Sequence, residues 1–383
     1  MAVAAALSAT CASARAAELG GGDGDVALEV HGFVSQGAIL STGNNYLAKS
    51  KRGSLEFAEV GVNFTSQLTE RLRLGLQLFT HDLGPVGNYE AHADWFYLDY
   101  RWRDWFGIRA GRVKLPFGLY NETSDIDAAR VAVLLPQSVY PVSNRDFLLA
   151  QTGVELYGYV DLRAAGALEY RLYGGTIYVD VSANPAIKAV DVPYVAGGRA
   201  MWETPVPGLR LGGSVQAIRL TFRFVPTMAT APASVGLSAV LGAGSAEFVR
   251  GNLTLAAELA QWRVGVDAAD LAVFPPGTKR ITVSERGYVS ATYHAARWLW
   301  PGAYYSVLFP DEADATFGGA SKNMMHDFAG SLRFDVNAHW LVKLEGHFMH
   351  GTAGLDSALN DNRPLDALTR NWAVFLVKTT AYF

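Results

Sequence analysis

The sequence predicts an all-β chain: one closed antiparallel transmembrane β-barrel of about sixteen strands, with short turns at one rim and long loops at the other. Three observations predict it. Segments alternating apolar and polar residues recur from residue 26 to the end, the period of a strand with one face against an apolar medium. Their connections alternate strictly between short and long, as the two rims of a membrane barrel require. No apolar run reaches the ~18 residues of a membrane helix.

Composition agrees with that class. Of 383 residues, half are hydrophobic and 18% are charged, with 39 Gly, 17 Tyr, 19 Phe and 9 Trp. Abundant glycine and aromatics in short alternating segments favour strands over helices. A net charge of −4 lacks the basic face that nucleic-acid binding needs. Residues 1–17 combine an apolar stretch with small residues and an Ala-Arg-Ala step at 14–16. They resemble the end of a secretory signal peptide without its basic leader region, so residues 18–383 are expected to form a single domain. Cys11, the only cysteine, lies in this segment. Without it the chain has neither a disulfide nor a thiol ligand.

In order, the expected strands are 26–39, 54–64, 71–79, 92–102 and 106–112. The third is the clearest: Leu72, Leu74, Leu76 and Leu78 face one way, Arg71, Arg73 and Gln77 the other. In the fourth, Phe96, Leu98, Tyr100 and Trp102 oppose Trp95, Tyr97, Asp99 and Arg101. After a break come 152–162, 167–181, 194–203, 209–218, 246–250, 253–266, 287–296, 300–309, 327–336, 340–350 and 369–383. A polar-poor loop is expected over 221–245. Trp102, Trp105, Trp202, Trp298, Trp300 and Trp340, with Tyr382 and Phe383, fall beside the short turns, where amphipathic rings form a girdle at the headgroup level.

The break at 113–150 is the longest interruption, and its Leu, Val, Phe and Tyr content is too high for a disordered segment. A loop this long inside a strand-rich chain is usually functional. It is expected to fold inward and narrow the lumen. Candidate lumen residues are Arg71, Arg73, Arg101, Arg109, Arg171, Arg199, Arg210, Arg333 and Lys343, with Glu59, Asp99, Glu155, Glu169, Glu258, Asp335 and Glu345. So many charges in a dry core would each cost several kcal/mol unless paired, whereas a water-filled lumen removes the cost. The candidate constriction sets the wall residues Arg73, Arg101 and Arg109 against Lys114, Asp125, Asp127, Arg130, Arg145 and Asp146 of the loop, with Arg171, Arg199 and Arg210 nearby. Fixed charges at a narrowing select solutes by charge and size.

The chain ends LVKTTAYF, with Phe383 closing a strand. With the strand count and loop alternation, this resembles the sixteen-stranded porins of Gram-negative outer membranes. The segment GRVKLPFGLYNETSD at 111–125 is similar to that of the group containing the phosphate-selective porins O and P and dicarboxylate-type porins. The resemblance implies short periplasmic turns, long extracellular loops and an infolded third loop in the outer membrane. It also implies passive diffusion of small hydrophilic solutes, assembly as a homotrimer, and recognition of the last strand by the barrel-assembly machinery. The phosphate-selective members carry a dense arginine and lysine ladder, and this chain has no comparable lysine set. Anion or carboxylate preference follows from the excess of arginines over loop acids, although the acidic total opposes it. Gly158, Gly198, Ala200 and Gly213 either make flat packing surfaces for a trimer or mark strand bends.

No cofactor or metal site is expected: the histidines are scattered, and odd spacing places His347 and His350 on opposite faces. Two alternatives stand beside the channel. One is an outer-membrane enzyme of lipase or protease type, for which Ser290 and His294 share a face without an ordered third partner. The other is a structural barrel with a plugged lumen.

Overall fold

A computed structural model describes residues 27–383 apart from 180, 182–186, 226–233, 269 and 271–277. The signal-like segment and Cys11 lie outside the described residues. Sixteen antiparallel strands close into one barrel, each paired with its sequence neighbour and the first with the last. They are β1 (Leu28–Ser41), β2 (Phe57–Gln67), β3 (Leu72–Leu83), β4 (His92–Arg103), β5 (Phe106–Lys114), β6 (Ala150–Asp161), β7 (Ala167–Thr176), β8 (Ile187–Glu203), β9 (Leu209–Phe224), β10 (Ser234–Arg250), β11 (Leu253–Val266), β12 (Ile281–Tyr293), β13 (Leu299–Phe309), β14 (Met325–Asn337), β15 (Trp340–Gly351) and β16 (Asn371–Tyr382). Closure runs from Phe33 opposite Tyr382 to Ser41 opposite Val374. Gly32 and Phe383 extend it by exchanging backbone hydrogen bonds of 3.1 and 3.0 Å. A barrel closed in this way leaves no unpaired edge.

The exterior is apolar as the alternation requires. Leu74, Leu78, Phe96, Leu98, Val154, Leu172, Val215, Leu259, Val289, Phe328, Phe348 and Phe375 are all exposed there. Trp102, Trp105, Trp202, Trp298, Trp340 and Phe383 are exposed beside the short turns. Trp300 departs from that girdle. It pairs across the sheet with Arg333, stacks on His294 at 3.8 Å and donates to Asp335 at 3.0 Å, so it faces the lumen. Of the small residues expected outside, Ala200 is exposed. Gly158 and Gly198 instead lie where a Cβ would strike the backbone carbonyls of Trp105 and Arg171, a close-approach role.

One expected loop is mostly strand. β9 runs on to Phe224, and β10 starts at Ser234 rather than 246. In β10 the inward residues Val235, Leu237, Ala239, Leu241 and Ala243 alternate with small or aliphatic outward ones, so no polar face marks the period. The inward apolar residues have a purpose. The barrel is filled along the 115–149 segment, and the buried core lies between that segment and the wall. Leu115, Phe117, Leu135, Val139, Tyr140 and Leu148 pack against Tyr173, Val195, Ile218, Leu241, Trp262 and Tyr288. Val133 and Leu134 pack on the other side against Ile39, Phe57, Met349, Trp372, Val374 and Leu376. Full burial of each such side chain contributes about 1.5–3 kcal/mol.

Phe117, 1% exposed, has the largest side chain of the loop anchors that are less than 2% exposed. Phe117→Ala is expected to lose about 3–5 kcal/mol by transfer and cavity terms, read as a lower melting temperature of the unboiled, compact electrophoretic form with the barrel signal in circular dichroism retained.

Candidate constriction across the lumen

The loop begins where β5 cannot continue. Gly111, at φ +133°, takes a left-handed backbone conformation within the strand, pairing ends at Lys114 opposite Ala150, and Pro116 then denies a backbone donor. The base is closed by the Leu115 amide on the Leu149 carbonyl at 2.9 Å and by the Asn121 amide, which donates to the carbonyls of Leu115 (2.8 Å) and Leu148 (2.5 Å). Gly118 sits at φ +60°, and a Cβ there would strike the Tyr140 hydroxyl. Three 3₁₀ turns (Asn121–Thr123, Asp127–Ala129, Val142–Asn144) and one α turn, α1 (Arg145–Leu148), carry the chain across.

Charged and hydrogen-bonded tethers hold it on nearly every side. Asp125 accepts from Lys114 of β5 at 2.5 Å and Gln77 of β3 at 2.7 Å. Arg145 meets Asp94 of β4 at 2.5 Å with its guanidinium 4.6 Å from the Phe79 ring centre. Glu122 is clasped by Arg171 of β7 (2.7 Å) and Arg199 of β8 (2.9 Å). Glu258 of β11 accepts from the Leu119 amide at 3.0 Å, from Tyr140 and from Tyr288 at 2.8 Å. Arg286 of β12 and Arg333 of β14 donate to the carbonyls of Ser138 (3.0 Å) and Ala128 (2.5 Å). Glu345 of β15 accepts the amides of Val133 (2.7 Å) and Leu134 (2.9 Å).

Asp127 is the deepest tether. It meets Lys343 at 2.9 Å, Lys378 at 3.4 Å and Thr380 at 2.8 Å, and no side chain of this ion trio is solvent-exposed. Burial alone would raise the Asp127 pKa, but Lys343, Lys378 and Arg130 outweigh it and hold the carboxyl well below the usual carboxylate range. Burial likewise opposes ionisation of Glu122, and Arg171 with Arg199 reverses the balance.

The predicted constellation is therefore reassembled. Asp125, Arg130 and Arg145 share a gap of about 80 Å³ with Glu59, Phe79 and His81 of β2 and β3. The arginine wall does not oppose the loop acids. Arg109 is taken by Asp99 and Glu155 at 3.0 Å each and lies over the Tyr157 ring at 4.4 Å. Arg73 stands cross-strand from Asp99, Arg101 lies two residues beyond, and both are exposed. Among the described residues neither forms an ion pair. The loop acids use lysines and other arginines instead. Geometry explains this: Arg73, Arg101 and Arg109 sit near the short turns, and the loop crosses farther from that rim. Arg210 pairs with Glu247 at 3.0 Å. The Asp146 side chain lies outside what the structure describes.

Sequence reasoning missed Glu122, Asp94, Glu247, Lys378 and Arg286. Lys378 carried a signal: with Thr380 it is polar on the face of β16 that otherwise shows Trp372, Val374 and Leu376. His347 and His350 do face opposite ways. His347 is held between Asp327 (2.9 Å) and Glu345 (3.0 Å), while His350 meets Asn371 on the outside. Among the described residues no group of three His, Cys, Asp or Glu could hold a metal. Ser290 reaches the Ala256 carbonyl at 3.4 Å and His294 stacks on Trp300, so the structure does not couple them.

No protein-family model and no curated protein sequence matches the chain. Solved structures do. OmpT of Vibrio cholerae matches at 10% identity and a TM-score of 0.62, over 96% of this chain and 100% of that one. An anion-selective porin from Comamonas acidovorans matches at 11% and 0.60, over 94% and 100%. OmpF of Salmonella typhi, solved with daunomycin, matches at 13% and 0.60, over 94% and 98%. The fold is that of the outer-membrane porins. At these identities the likeness is one of architecture.

Removing the Asp127 charge leaves Lys343 and Lys378 buried without it. Asp127→Asn is expected to lose about 3–5 kcal/mol, measured as the melting temperature of the compact form at pH 7. The depressed pKa sets the pH window. The contribution is complete above the ordinary aspartate value of ~3.9 and is lost as pH falls through the lower folded value. The gap between wild type and variant should therefore hold from pH 7 to about 4 and narrow only below that.

Proposed function

We propose that this chain is an outer-membrane channel of a Gram-negative bacterium through which small hydrophilic solutes diffuse passively, with anions favoured. The observation that carries the reading is the charge arrangement in the lumen. Tethered carboxylates and cations surround cavities on both sides of the loop, of about 360 Å³ and about 290 Å³. Arg73, Arg101 and Arg286 face the lumen with no carboxylate partner among the described residues. Unpaired cations in an aqueous passage raise the local concentration of anions. The resemblance of residues 111–125 to phosphate-selective and dicarboxylate-type porins supports the same preference. In this reading the apolar exterior meets outer-membrane lipid, the working assembly is a homotrimer, and the strand ending in Phe383 engages the assembly machinery.

A second reading has its own support. The 115–149 segment is tethered to walls on nearly every side, which favours a barrel with a plugged lumen. Planar-bilayer recording separates the two. A channel gives stable open conductance and a reversal potential in a salt gradient that reports anion preference. Arg73→Gln with Arg101→Gln should move the anion-to-cation permeability ratio toward one, and Asp125→Asn should move it the other way. A barrel that folds and inserts without ever conducting overturns the channel and leaves the plug.

A further inference from the structure

Nearly every cation inside the barrel has a carboxylate. Arg109, Lys114, Arg145, Arg171, Arg199, Arg210, Arg333, Lys343 and Lys378 each form an ion pair within 4.0 Å. Arg286 on β12 is different. Its guanidinium lies 3.7 Å from the centre of the Trp262 ring. Its Nε donates to Ser284 Oγ at 3.0 Å and one terminal nitrogen to the Ser138 carbonyl at 3.0 Å. Among the described residues it forms no ion pair. The indole N–H of Trp262 beneath it is buried and also has no acceptor among them. A guanidinium has five N–H donors in a planar fork, so donors remain after these two contacts.

Arg286 is on the wall of the cavity of about 360 Å³. The volume is at the lower end of the ~300–1,000 Å³ typical of small-molecule sites. Leu83, Val142, Leu308, Met349 and Leu355 give the cavity its apolar side, and Gln137, Ser138 and Ser306 are among its polar members. Asp327 and Asp356 are its other charged members; both oxygens of Asp327 are engaged, one by His347 at 2.9 Å and the other by Tyr304 at 3.1 Å, and Asp356 accepts the Ala358 amide at 2.8 Å. The cavity thus sets a guanidinium that forms no ion pair among the described residues beside an apolar side made by Leu83, Val142 and Met349.

We infer that this cavity is a binding site for a small monocarboxylate with an apolar body, its carboxylate held by Arg286 and its body by the Leu83, Val142 and Met349 side. The planar fork matches a carboxylate in two-point contact. Stacking on Trp262 and the bond to the Ser138 carbonyl fix the fork before the ligand arrives, which lowers the entropy cost of binding. The inference deepens the anion-passing reading by giving it a solute class and a residue.

The test uses the full chain folded in detergent, titrated calorimetrically with benzoate, benzamide and inorganic phosphate. Benzoate is expected to bind at one site, and benzamide, which lacks the charge, at least about tenfold more weakly. Arg286→Gln removes charge-assisted hydrogen bonds of about 1.5–3 kcal/mol, so it should weaken benzoate about 10- to 100-fold and leave benzamide unchanged. Arg286→Lys keeps the charge and gives up the fork. It should retain the fold and lose a smaller but measurable part, which keeps the test alive if the glutamine variant does not assemble. Benzoate affinity equal in wild type and in either variant overturns the site, as does phosphate binding as tightly as benzoate. Because binding is read without conduction, a chain that binds benzoate but never conducts defeats the channel reading alone.

Discussion

The barrel depends on one constraint: a sheet with an apolar exterior has no water outside to satisfy a free edge, so its backbone groups must pair within the sheet. The pairing of β1 with β16, from Phe33–Tyr382 to Ser41–Val374, meets it. Once the sheet is closed, the alternation of side chains assigns every strand residue to the outside or the lumen. That assignment forces Arg171, Glu155, Glu258, Lys343 and Glu345 inward. The lumen then has to satisfy these charges with water or with partners.

The 115–149 segment supplies many of those partners. Asp127 between Lys343 and Lys378, Glu122 between Arg171 and Arg199, and the Val133 and Leu134 amides on Glu345 each add a partner to a buried wall charge, and for Lys343 Asp127 is the one ion-pair partner among the described residues. Such pairs do not rank high as net stabilisers, since desolvation offsets much of the attraction, but removing one partner is costly. The tethers therefore fix the position of the loop more than they add to its stability. The apolar contacts of Leu115, Phe117, Val133 and Val139 add the burial term that holds the loop against the wall. A loop fixed in this way keeps Asp125, Arg130 and Arg145 at one narrow gap, which is what a selective constriction needs.

The charge pairing also makes the exceptions informative. Arg73 and Arg101 lie exposed near the short-turn rim, where water can solvate them. Arg286 is partly buried, resting on Trp262 with only neutral oxygen acceptors among the described residues. A charge kept there without a counter-charge carries a solvation penalty that an anionic solute would relieve.

Much of the architecture was legible in the chain. A period of two over Leu72–Leu78, repeated with turns of alternating length, is enough for strands, their number and a closed barrel, because the pattern depends only on local geometry and on which medium each face meets. Even the interruption at 113–150 declared itself by its length and its apolar content. The 234–245 part of β10 was hidden because its inner face, from Val235 to Ala243, is apolar, and that face is apolar because a distant loop lies on it. The pairing of charges was hidden for the same reason. Arg109 and Asp127 are eighteen residues apart in a chain that suggests they could meet, yet Arg109 goes to its strand neighbours Asp99 and Glu155, while Asp127 crosses the lumen to Lys343 and Lys378. Sequence by itself determined many of the charges that face inward. Only the tertiary structure decided which of them neutralise one another, because ion pairing falls off over a few ångströms and those distances exist only after the barrel closes and the loop crosses it.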